Sequence, residues 1–361
     1  MKSWVKGKLS LIHLSWAIAI LFAGLFLVEQ TKFVQPTSYY TEQIQAAQLM
    51  KICLETIKEE RLKRDIPLDV GLDPNQTGII GKEYTQLTTT LGNLEAKRTS
   101  TNPAFAALLV KYFKEANLKK GDVIAIGASG SFPALIVATL SAARALELEP
   151  LIIYSIGSSE YGANIPEFTF VQMLDSLNKK SILPYHLLAI SMGGYLDQVE
   201  GMFYPDSQDT IKKIVQDSGT FVIDADSTEE NILQRMQLYK KSAKGQPVKA
   251  FVNIGGATAN YGNTNASITY PNGLVINGPK IPDHPERGLI FEYQNLGIPV
   301  IHLLNIRDLA IKNGLPIDPT PLPEIGEGGV YRQIVYSKPI IILVIAIEFL
   351  YLFWALKIRH K

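Results

Sequence analysis

The segment Val123-Ile124-Ala125-Ile126-Gly127-Ala128-Ser129-Gly130-Ser131-Phe132-Pro133 decides the fold. Its opening apolar run has the character of a strand buried on both faces. A Gly/Ser turn follows. The pattern then becomes helical over residues 132–146, with Ser131 the expected N-cap. Pro133 falls in the first turn, where a missing N–H costs nothing. The same alternation continues along the chain. Further β-rich runs lie at 151–155, 187–190, 221–223, 248–254 and 300–304, separated by helical patterns at 168–179, 209–217, 229–242 and 286–296. Apolar strands alternating with helices predict a parallel sheet covered on both faces. The expected fold class is α/β, a doubly wound, mostly parallel, Rossmann-like sheet of about six strands. Two earlier helices, over 39–64 and over 103–117 with Asn102 as N-cap, are expected to pack on one side of it.

Outward from this domain lie two apolar segments, Leu9–Val28 and Ile340–Leu356. Each is about long enough to cross a bilayer core, the second only just. Lys2, Lys6 and Lys8 precede the first; Lys357, Arg359 and Lys361 follow the second. The positive-inside rule therefore places both termini in the cytoplasm and the main domain outside. A cleaved signal peptide is the alternative for the first segment, but the run is longer than a signal core and lacks an A-x-A site. The expected organisation is a cytoplasmic N-terminus and transmembrane helix over 1–28, a helical lead-in over 29–117 and an α/β domain over 118–313. A Pro/Gly-rich linker over 314–338 and a second transmembrane helix with a basic tail over 339–361 complete it.

The 361 residues carry a net charge of +1, so bulk electrostatics give no case for nucleic acid. A single cysteine, Cys53, excludes an internal disulfide, and no Cys/His cluster offers a zinc site. No cofactor is expected either. The dinucleotide fingerprint fails because Ser129 and Phe132 occupy its second and third glycine positions. Asp226-Ser227-Thr228-Glu229-Glu230 reads as a capping box through Ser227 and Glu230, rather than as metal ligands with Asp224.

In open α/β sheets ligands bind at the carboxyl ends of the strands. Those ends are polar here: Gly127 to Ser131 with Ser129 and Gly130, Gly157 to Asn164 with Ser158 and Ser159, Ser191 to Gly194, and Gly255-Gly256 to Asn260. Backbone N–H groups and the helix dipole after the first strand favour an anion. A plain tight turn that needs Gly and Ser for geometry is the alternative. Lys97 and Arg98, beside Thr99, Ser100 and Thr101, offer cations for carboxylates or phosphates, with Arg98 able to bind bidentately. Their alternative is a charged surface turn. The nucleophile elbow G-x-S-x-G lacks its last glycine but leaves Ser129 and Ser131 as candidate nucleophiles. A triad would need His186, His284 or His302 and an acid such as Asp224, Asp226 or Asp308. His302 lies in an apolar strand and reads as structural; His284 reads as surface loop. The stretch 255–285 shows no obvious secondary structure, and its Tyr261 and Tyr270 are candidates for a binding surface. Glu348 sits near the middle of the second span. An ionisable group at that depth is paired, with Ser15 of the first span as the nearest polar candidate within the chain or with a different membrane protein, unless it is simply held protonated.

Residues 91–103 (Leu91-Gly92-Asn93-Leu94-Glu95-Ala96-Lys97-Arg98-Thr99-Ser100-Thr101-Asn102-Pro103), residues 121–134 around Gly127-Ala128-Ser129-Gly130-Ser131, and Ser158-Ser159-Glu160-Tyr161-Gly162-Ala163-Asn164 carry a resemblance. With the anchors at both ends, they resemble the bacterial poly-gamma-glutamate system protein family over most of the chain. The resemblance implies a place in the membrane machinery that makes and exports poly-gamma-glutamate. It implies residence in the bacterial cytoplasmic (inner) membrane and partnership with the synthase membrane subunits. It supplies no reaction and no catalytic residues. Three functions are in view: an accessory protein that binds the anionic polymer or organises the synthase, an extracytoplasmic serine hydrolase or transferase acting on gamma-glutamyl or cell-envelope bonds, and a small-ligand sensor.

Overall fold

A computed structural model of the chain describes residues 10–199 and 202–358. Lys2, Lys6, Lys8, Arg359 and Lys361, on which the orientation was argued, lie outside the described residues. The chain forms two compact units: residues 39–331, and the chain ends up to residue 38 and from residue 332. These boundaries differ from those suggested by composition. Most of the expected lead-in, and the Pro/Gly-rich stretch up to Tyr331, belong to the larger unit.

The larger unit opens with α1 (Tyr40–Lys63), then α2 (Leu94–Ser100) and α3 (Ala104–Glu115). Next come β1 (Val123–Ser129), α4 (Pro133–Ala145), β2 (Glu149–Ser155), α5 (Phe170–Lys179) and β3 (Leu187–Ser191). After α6 (Ser207–Ser218) and α7 (Thr228–Ser242) follow β4 (Val248–Ile254), β5 (Gly273–Val275), α8 (Leu289–Asn295), β6 (Val300–Leu303) and α9 (Ile306–Lys312). The fold is mixed α/β, around a six-stranded sheet in the order β3-β2-β1-β4-β6-β5. All its pairings are parallel except β5 with β6.

Alternate residues of the strands face opposite cores, as the two-residue period of a strand requires. Ile124, Ile126 and Ala128 join the larger core with α1, α3 and α4, whereas Ala125 joins the smaller one with Ile232 and Tyr239 of α7 and Phe291 of α8. Residues 133–143 of α4 are all buried. A helix apolar all round must be covered on every side, and α4 packs against α1 and α3.

Two strand expectations are corrected. Phe221–Ile223 is no full strand; it touches β3 through one parallel bridge, Ile190 to Val222. Only two backbone hydrogen bonds form there, from the Ile190 N–H to the Phe221 carbonyl and from the Ile223 N–H to the Ile190 carbonyl, so the pairing does not extend into a ladder. The sixth strand comes instead from the 255–285 stretch, which is not structureless. It holds helical turns at Thr258–Tyr261 and Asn265–Ile268, and then β5. The helix expected from residue 286 starts only at Leu289, because Gly288 has φ +84°. Ser131 does not cap α4; Phe132 precedes Pro133 there, with no side-chain cap. Nor does Pro103 open α3 as a helical residue: it stands at the cap position, and the Asn102 side chain accepts the Ala104 N–H at 3.0 Å. The capping box at 227–230 is half formed. Ser227 Oγ accepts the Glu230 N–H, but the Glu230 carboxylate turns to the Asp226 N–H.

In the terminal unit, helices Leu11–Gln30 and Lys338–Ile358 are long and apolar enough to cross a membrane. They pack together. Tyr351 Oη lies 3.2 Å from His13 Nδ1. Phe33–Pro36 pairs antiparallel with Arg332–Val335, so the chain leaving the first helix is joined to the chain entering the second.

Candidate functional site

A cavity of about 460 Å³ opens where the parallel strands end. From β1 the chain runs outward through β2 and β3 on one side, and β4, β6 and β5 lie on the other, so the order reverses between β1 and β4. Ligands in open α/β sheets sit at such a reversal. Ser129 ends β1 and Ser131 follows it, Gly157 and Ser159 follow β2, Gly193 and Gly194 follow β3, and Gly256 follows β4; all line the cavity with Lys97 of α2.

Lys97 is placed by local capping. Asn93 Oδ1 accepts the Ala96 N–H at 2.9 Å and starts α2 there. One turn on, the Lys97 side chain is buried, with the residue only 2% exposed. Its ammonium donates to Ser159 Oγ at 2.7 Å and to the Ser131 carbonyl. It also lies 4.1 Å from the centre of the Phe132 ring, within cation–π range. Burial pushes its pKa down to about 7, against the opposing pull of the Glu160 carboxylate.

Ser159 is held from several sides. Ser158–Ser159 pairs in parallel with Thr88–Thr90. The Ser159 N–H donates to Ser131 Oγ at 3.1 Å, and its carbonyl accepts from Gly162 N–H and Ser158 Oγ. Ser129 Oγ is buried and has no hydrogen-bond partner. Gly255, at φ +83°, leaves room for that hydroxyl, which a Cβ would strike. The rim depends on a second close approach. Gly193 has φ +81°, and a Cβ there would stand 2.5 Å from the Gly157 nitrogen.

Beneath the cavity runs a buried polar network. Arg235 of α7, 0% exposed, donates to Ser155 Oγ at 3.2 Å, Ser191 Oγ at 2.7 Å and Asp197 Oδ2 at 2.9 Å. Asp197 Oδ1 in turn accepts the Gly193 N–H at 2.7 Å. The network therefore ties the cavity floor at Ser155 to the turn after β3. Sequence reasoning missed Arg235 and Asp197. An arginine inside an amphipathic helix pattern carries no signal that it is buried.

The structure brings Lys97, Ser129, Ser131, Ser159 and Gly256 to one cavity. Gly127, Gly130, Ser158 and Gly255 stand behind that lining as close-packed supports. Arg98 is corrected: it points elsewhere, to the Leu72 carbonyl at 2.9 Å, the Gly71 carbonyl at 2.7 Å and Asp318 at 3.2 Å. Adjacent helical residues do not share a face, so both cations cannot turn to the same site. Glu348 lies in the terminal unit, where its Oε2 is buried without a hydrogen-bond partner. No histidine lines the cavity. His302 is buried and stacked on Tyr261, with its pKa lowered by burial to about 4, and His186 and His284 are exposed.

No family model, curated protein or solved structure matches the chain.

Proposed function

We propose that the chain is a membrane-anchored accessory protein of poly-gamma-glutamate synthesis or export. Its extracytoplasmic domain holds the anionic chain in the cavity at the ends of β1 and β4. One observation carries the reading: the buried ammonium of Lys97 faces the Ser159 hydroxyl, the Ser131 carbonyl and the Phe132 ring, and among the described residues it has no carboxylate in ion-pair contact. A buried cation is costly unless paired, and a free α-carboxylate of the gamma-linked polymer supplies the counter-charge. The hydroxyls of Ser129, Ser131 and Ser159 supply donors for its oxygens.

The pathway rests on the resemblance. Its three segments, 91–103, 121–134 and 158–164, all contribute to the cavity wall. On this reading the sheet is a doubly wound, Rossmann-like one, which the strand order and the two covered faces support. The two apolar helices cross a bacterial cytoplasmic membrane with both termini inside, and Glu348 meets a synthase membrane subunit.

The test is calorimetric titration of the purified chain with a synthetic gamma-linked glutamate oligomer at pH 6 and pH 8.5. Only the ammonium form attracts carboxylates, so affinity should fall about tenfold or more as pH rises through 7. Lys97→Met should bind weakly at both. Equal binding by Lys97→Met would overturn the site assignment. Normal polymer output from cells lacking the gene would overturn the pathway.

A further inference from the structure

We propose that Ser159 and Lys97 form a nucleophile–base pair that cleaves, or transfers, an amide-linked acyl chain bound in the cavity. The inference rests on the reading of the cavity as the site of a gamma-linked chain and adds a reaction to it. Ser129 and Ser131, the nucleophiles that the sequence suggested, are displaced from that role by their surroundings. Ser129 still belongs to β1, and its hydroxyl has no base beside it. Ser131 uses its oxygen to accept the N–H of Ser159. Ser159 alone has its hydroxyl in contact with a titratable amine, at 2.7 Å, on the wall of a cavity. That is the geometry of a serine nucleophile with a general base in hydrogen-bond reach.

The surroundings suit each partner. The Ser131 carbonyl takes one N–H of Lys97. With that hydrogen engaged, the lone pair of the neutral amine can turn to the Ser159 hydroxyl. Burial supplies the neutral form, since a pKa of about 7 leaves a large fraction of Lys97 unprotonated at neutral pH. The backbone of Ser159 is fixed on both sides, by Ser131 Oγ and by Gly162 N–H. Ser129 lines the same cavity, and its buried hydroxyl, which has no partner, can donate to developing negative charge once turned toward the cavity. Serine–lysine pairs do the work of the serine–histidine pair on other folds.

The step balances as follows. Neutral Lys97 takes the hydroxyl proton as Ser159 Oγ bonds to the carbonyl carbon. The C–N bond of the amide breaks, and the leaving amine takes the proton from the Lys97 ammonium. An ester on Ser159 remains. Water, deprotonated by Lys97, attacks that ester, and the serine oxygen recovers the proton. The sum is amide plus water giving carboxylic acid plus amine. An amine from a second chain in place of water gives transfer with no net hydrolysis.

Binding and turnover then depend on pH in opposite senses, and this separates the two readings. The experiment treats the full chain in detergent with a fluorophosphonate probe between pH 5.5 and 9, maps the modified peptide by mass, and follows a gamma-glutamyl oligomer bearing a fluorogenic C-terminal amide. The expected result is modification at Ser159, rising with pH through about 7 as the amine loses its proton. Both labelling and release should fall about 100-fold or more in Lys97→Met and in Ser159→Ala. Ser159→Cys should restore reactivity toward a thiol-directed acyl probe, which a misfolded variant would not. Unlabelled wild-type protein that still binds the oligomer would overturn the dyad and leave the binding reading intact. Labelling at Ser129 or Ser131 would overturn the assignment to Ser159. Labelling at Ser159 without oligomer binding would overturn the substrate class while upholding the pair.

Discussion

Lys97 sets the stability of the larger unit against its chemistry. In the unfolded chain its amine titrates at the ordinary lysine value of 10.5; in the folded domain it titrates at about 7. Between these values the unfolded chain binds a proton that the folded one does not, so stability rises with pH through this window. At pH 7 and below the full penalty of burying the ammonium remains. Lys97→Met removes it while keeping the apolar stem. We expect the variant to be more stable than wild type at pH 6, by about 1–4 kcal/mol, the range for replacing buried charge by apolar side chains. The difference should shrink toward pH 10. Denaturant unfolding at pH 6 and pH 9.5 reads it; a variant less stable at pH 6 would mean that the amine's hydrogen bonds outweigh its desolvation. This residue was partly legible in the sequence. A lysine followed by hydroxyls marked 97–101 as a place for an anion, but the equal treatment of Arg98 ignored helix geometry. Asp197 and Arg235 were invisible because they meet across 38 residues through side chains alone.

At the scale of elements, β1, β2 and β4 were legible since each is an apolar run with turn residues at both ends. Their parallel arrangement was inferred from alternation, but the strand order, with β1 between β2 and β4, follows from chain crossovers that composition does not encode. β5 was missed because a three-residue edge strand, at Gly273–Val275, has too little length for a period to show. The turns after β2 and β3 carry a constraint visible in hindsight as paired glycines. Gly157 donates its N–H to the Met192 carbonyl at 3.0 Å, so these two turns lie backbone to backbone. Gly193→Ala would add a methyl at positive φ against the Gly157 nitrogen. We expect a loss of about 1–3 kcal/mol from the backbone strain, with local hydrogen exchange near 192–199 accelerating more than exchange in β1. A variant as protected as wild type throughout this turn would contradict the close approach.

For the whole molecule, the two apolar helices were evident from length and composition, but their pairing was not. Apolar residues that face lipid and those that face a second helix read alike in sequence. Inside a membrane, small residues let helices approach closely, and Gly24 is one of the few buried positions of the first helix. A Cβ at Gly24 would lie 3.3 Å from the Cβ of Val344, close to the spacing across a disulfide. The antiparallel ladder between Phe33–Pro36 and Arg332–Val335 joins the chain leaving the first helix to the chain entering the second. Gly24→Cys with Val344→Cys should therefore cross-link within one chain under mild oxidation. The native Cys53 need not be removed: it is buried, and its thiol is pushed up to about 12. Protease cleavage within the larger unit after oxidation should then leave the two terminal fragments joined until a reductant is added. Fragments that separate without reductant, or that join only between chains, would show that the helices part in the membrane. Glu348 would in that case meet its environment from a lone helix, and its proposed contact with a synthase subunit would have to be argued without the paired anchor.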